Sequence, residues 1–68
     1  MEVLRQQRQT AEVRLTAGEL LIINNALNEI CHGIDLPAFD TRIGAGRAEV
    51  QELLAAVGDL LRRLGAGS

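Results

Sequence analysis

Two segments of the chain carry apolar residues at helical spacing. Between Leu20 and Cys31, a turn of 100° per residue puts Leu20, Ile23, Ala26, Leu27, Ile30 and Cys31 on one face, with Asn25, Glu29 and His32 opposite. Further on, Val50, Leu53, Leu54, Val57, Leu60, Leu61 and Leu64 form an a/d/e stripe, while Gln51, Glu52, Ala55, Asp59 and Arg62 face away. The first helix is predicted to begin at Thr16. Thr16 and Glu19 have the spacing of a capping box, and Leu15 with Leu20 that of a hydrophobic staple. Gly33 supplies its stop. The second is predicted to open after Gly46, with Glu49 in its first turn and Arg62 and Arg63 in its last, and to end at Gly65.

Between the helices, Pro37 suits the first turn of a short helix running toward Ile43, and Leu36, Phe39 and Ile43 are predicted to plug the core. Ahead of them, Glu12 to Thr16 alternates, which suits a short strand with Val13 and Leu15 on one face; a helix through Leu4, Ala11 and Leu15 is the other reading. The polar residues before that show no period. The predicted organisation is a flexible lead-in over 1–11, one helical-hairpin domain over 12–64 and a disordered tail over 65–68. The fold class is all-α: an αα-hairpin with a short N-terminal strand or arm.

A hairpin is half of a bundle, and both stripes are wider than one helix contact can cover. A chain of 68 residues buries only about 60% of its unfolded surface, and its one Cys excludes an internal disulfide. We therefore expect a homodimer in a four-helix arrangement, with Asn24, Asn28, Val50, Leu53, Val57, Leu60, Leu61 and Leu64 at the interface. The alternative is a compact monomer whose N-terminal arm covers the stripe. Asn is a poor helix former, and Asn24 and Asn28 lie one turn apart at the edge of the apolar face. Their amides could fix register across a helix interface or belong to a recognition strip.

Composition narrows the chemistry. The chain is 47% hydrophobic with Phe39 as its one aromatic, and its formal charge is -2, from seven Arg, no Lys and nine acidic residues. No basic excess favours nucleic acid or an anionic membrane. The apolar run Leu20–Ile23 is far short of a bilayer span, no secretory signal follows Met1–Gln9, and a lone Cys31 suits a reducing compartment; the expected location is the cytoplasm. Cys31 and His32 are neighbours without a second Cys or His, so no metal is expected. No carboxylate has a visible base, nucleophile or oxyanion partner, so neither an enzyme nor a cofactor is expected. Gly44-Ala45-Gly46 with Arg47 is a weak anion-binding pattern whose ordinary role is a turn and cap.

The run from Leu15 to Gly33, containing Asn24-Asn25-Ala26-Leu27-Asn28-Glu29, and the later Thr41-Arg42-Ile43-Gly44 with Arg47, resemble a group of short uncharacterised bacterial proteins. The resemblance covers about fifty residues. It implies a strand or arm followed by two helices, and no reaction. Gly46 stands where such sequences often carry a Ser cap.

The functional expectation is a small protein-protein interaction module, an immunity or antitoxin-like binder. Glu19, Glu29, Asp35 and Asp40 precede Arg42 with no Arg after Arg14, so Asn25, Glu29, His32 and Asp35 would face a basic partner. The alternative is a dimeric helix-turn-helix-like DNA-binding regulator over Phe39 to Leu53. Its would-be recognition helix pairs Arg47 with Glu49 and Glu52, which repel phosphates.

Overall fold

The computed structural model describes residues 1–65. It is mostly helical, with an antiparallel ribbon of β1 (Glu2–Gln6) and β2 (Ala11–Arg14) ahead of α1 (Ala17–Asn28), α2 (Phe39–Ile43) and α3 (Arg47–Arg63). A one-turn π-helix over Glu29–Gly33 continues α1 and is closed by the amide of Ile34 donating to the carbonyl of Glu29 at 3.0 Å.

The capping box at Thr16 forms as predicted. The amide of Glu19 donates to the Thr16 hydroxyl at 3.1 Å, and the Thr16 amide to a Glu19 carboxylate oxygen at 2.9 Å. At α3, Gly46 has no side chain to contribute, so its amide donating to Glu49 at 3.5 Å is the half of the motif that remains. The stop at Gly33 and the span of α3 also match expectation. The short helix starts later than Pro37 suggested: Ala38 adopts a left-handed conformation, φ 54°, before α2 begins.

The N-terminal expectation needs correction. Residues 1–11 are not a featureless lead-in, because Glu2–Gln6 supplies the second strand. Glu2 pairs with Arg14 and Val3 with Val13, and a bulge at Leu4 shifts the register before Arg5 meets Glu12. The turn is closed by the Gln7 amide donating to the Thr10 carbonyl at 2.9 Å, and the Arg14 guanidinium bonds the Glu2 carboxylate across the strands at 2.8 Å. Of the tail expected over 65–68, Gly65 belongs to the turn that ends α3, its amide donating to the Arg62 carbonyl, and the rest lies outside the described residues.

The core is small. Leu20, Cys31, Phe39 and Val50 are its buried members, and Leu27, Ile30, Leu36, Ala45 and Leu54 pack half-buried around the last three. Ile43, expected among the plug residues, is 38% exposed. The helices run antiparallel: Cys31 meets Val50 at one end, and Leu20 lies beside Leu60 and Leu64 at the other. The chain measures 36 × 34 × 16 Å with a radius of gyration of 13.3 Å, against about 11 Å for a compact chain of this length.

Candidate interaction site

The four residues expected to meet a partner are all exposed. Asn25 and Glu29 are one turn apart and, with Ile22, lie on the side of α1 opposite the Leu20 line that packs on α3. His32 belongs to the π turn, and Asp35 follows Ile34, where the backbone turns extended and leaves the helix. Asn25 and Glu29 thus share a face by helix geometry, while no hydrogen bond or ion pair among the described residues joins the four.

The sequence marks Leu21 and Ile22 as apolar surface wider than a single helix contact, expected to be covered by a second copy and not counted with the partner-facing residues. Leu21 is 51% and Ile22 69% exposed, on the outward side of the same helix. Two aliphatics beyond the width of one stripe have no covering element within a hairpin. The π turn was unforeseen. Glu29 folds back over Gly33, where a Cβ would stand 2.5 Å from its carboxyl carbon. Gly33 therefore both ends the helix and leaves room for that carboxylate. Among the described residues no cation lies within ion-pair distance of Glu29 or Asp35.

Arg47 and Glu19 have structural roles. Arg47, the leading basic residue of the anion-binding and DNA-reading patterns, lies over the Phe39 ring with its guanidinium carbon 4.5 Å from the centroid, and donates to the Cys31 carbonyl at 3.3 Å. Glu19 binds the amino group of Met1 through one carboxylate oxygen and caps α1 through the other. The Met1 ammonium and the Thr16 amide hold its carboxyl below the usual carboxylate range.

The expected dimer residues divide. Val50 is buried against its own chain's Cys31 and Phe39, so it is unavailable to a second copy; this corrects its assignment. Asn24, Val57 and Leu61 are half-buried, and the Asn24 side-chain oxygen lies 3.6 Å from where a Cβ on Gly58 would stand, within the chain's own α1–α3 contact. Asn28 is exposed. Leu53, Leu60 and Leu64 are 55%, 41% and 53% exposed along one side of α3.

Among the described residues no cluster of His, Cys, Asp or Glu could hold a metal ion, and no helix is long and apolar enough to cross a membrane. Compared with known proteins, the chain matches no family model, no curated protein and no solved structure.

Proposed function

We propose that this chain is a small non-enzymatic protein-protein interaction module, of the immunity or antitoxin-like kind, whose outward α1 face receives a basic partner. The observation that carries this reading is the combination on that face: Leu21 and Ile22 exposed beside Asn25 and Glu29, which has no ion pair among the described residues. Exposed aliphatics supply affinity when covered, and carboxylates without an internal cation steer and orient a basic surface. The Asn25 amide can donate and accept at the rim, with His32 and Asp35 extending the polar margin. The DNA-binding reading loses its leading phosphate contact, since Arg47 is engaged with Phe39 and Cys31.

Affinity purification from the native host over a salt series tests this. The expected result is a basic protein retained at low salt, released as salt rises, and lost with Glu29→Arg and with Ile22→Ser, while Glu52→Arg on the far side of α3 retains it. Retention by both α1 variants, or no partner at any salt, overturns the reading.

A further inference from the structure

We propose that a second copy of this chain covers the other apolar face, the one lined by Ile23, Leu53, Leu60 and Leu64 and continued by Leu4 and Val13 of the ribbon. Each helical member stands three positions after a residue of the inward line: Ile23 after Leu20, Leu53 after Val50, Leu60 after Val57 and Leu64 after Leu61. In an antiparallel pair, that offset turns both helices' residues to the same side. The face is thus continuous across α1 and α3. Leu60 and Leu64 run on into an open groove of about 340 Å³ whose other walls are Leu4, Val13, Arg14, Leu15 and Leu20.

The area of the molecule argues for a second copy. The accessible surface is 5319 Å², against about 4,200 Å² for a compact monomer of 7.3 kDa. The excess of about 1,100 Å² exceeds the roughly 800 Å² that each partner contributes to a standard stable interface. The ribbon points the same way. Every residue of both strands is exposed, and a lone two-stranded ribbon is marginal in water unless it packs on something.

The chemistry of the face favours self-pairing over a basic partner. Its helical members are all aliphatic, the charge on the groove wall being the cation Arg14, which disfavours a basic partner there, and an apolar surface of this kind can pair with its own copy about a two-fold axis. With four buried side chains among the described residues, the chain gains fold stability from its own copy, and by mass action that gain grows with concentration. This inference concerns a different side of the molecule from the basic-partner face, so either can fail alone.

Light scattering over a dilution series of the wild-type chain should give twice 7.3 kDa, falling toward the monomer on dilution. Leu60→Arg should weaken the association tenfold or more, while Ile22→Arg leaves it unchanged. A wild-type monomer at every concentration overturns the proposal, as does a dimer that survives both Leu53→Arg and Leu60→Arg. Because a charged variant can lose its fold along with its partner, methyl relaxation by a soluble paramagnetic agent on the wild-type dimer is the second readout. The Leu53, Leu60 and Leu64 methyls should be shielded and those of Ile22 relaxed. Equal relaxation of both sets overturns the assignment of the face.

Discussion

The guanidinium of Arg47 lies over Phe39 with its central carbon 4.5 Å from the ring centroid, while one of its nitrogens donates to the Cys31 carbonyl at 3.3 Å. One side chain thereby joins the first residue of α3 to the first of α2 and to the π turn at the end of α1. The cation–ring contact contributes about 0.5–1 kcal/mol at such a partly open site, and the hydrogen bond about 1 kcal/mol. Arg47→Ala should therefore lower unfolding stability by about 1–2 kcal/mol. Arg47→Lys should recover part of the loss, because an ammonium keeps the charge but is a compact, more strongly hydrated point charge than the guanidinium. Urea denaturation of the three proteins gives the comparison.

Phe39 is 6% exposed and supplies the largest side chain of the core. Phe39→Ala should cost about 3–5 kcal/mol, which is most or all of the stability available to a domain this small. Loss of a cooperative thermal transition in circular dichroism is the expected outcome, and Phe39→Leu should keep one at a lower temperature.

Two backbone positions carry opposite expectations. Gly44 adopts φ 87° and Ala38 φ 54°, both in the left-handed region. Gly44→Ala should destabilise by about 1 kcal/mol and Ala38→Gly should stabilise by a similar amount, because a Cβ is disfavoured there. Thermal midpoints moving in opposite directions would establish it.

Within α3, Gly58 meets only ordinary contact distances if a Cβ is added, 3.6 Å to the Asn24 oxygen and 3.8 Å to an Arg62 nitrogen. Glycine in a helix interior costs about 0.8–1 kcal/mol relative to alanine. Gly58→Ala should thus raise stability by about 0.5–1 kcal/mol, measured as a shift of the urea midpoint without a change in slope.

Glu19 sets a pH dependence. Its carboxyl is held below the usual carboxylate range by the Met1 ammonium first and the Thr16 amide second. The unfolded chain therefore takes up this proton at a higher pH than the folded one. The stabilisation is present above the ordinary carboxylate range and is lost as pH falls through the lowered value. Wild type should have the higher thermal midpoint compared with Glu19→Gln near neutral pH, and the gap should close in acid. Salt should narrow it as well, because the group is exposed.

What was legible in the residues was local. Thr16 with Glu19 marked the start of α1, Gly33 and Gly65 marked the two helix ends, and Arg62 and Arg63 closed α3, because caps and dipole partners act within one turn. The face with Asn25 and Glu29 could likewise be read from spacing, and Leu21 and Ile22 stood out as surplus apolar surface, although the structure was needed to group them with that face. Long-range pairing decided the rest. Glu2–Gln6 has no alternation, and the turn from Gln7 to Thr10 contains no Gly, Asn, Asp or Pro, so only its partner strand shows it to be β. The stripe on α3 was plain in the sequence, but periodicity cannot say which half meets α1. Packing assigns Val50, Leu54 and Leu61 inward and leaves Leu53, Leu60 and Leu64 open. Arg47 looked like a free cation until the loop brought Phe39 and the Cys31 carbonyl beside it. The sequence by itself determined where the helices begin and end, since those signals lie within a few residues of each other. Only the tertiary structure decided which apolar and charged groups remain available to another molecule, because that depends on neighbours distant along the chain.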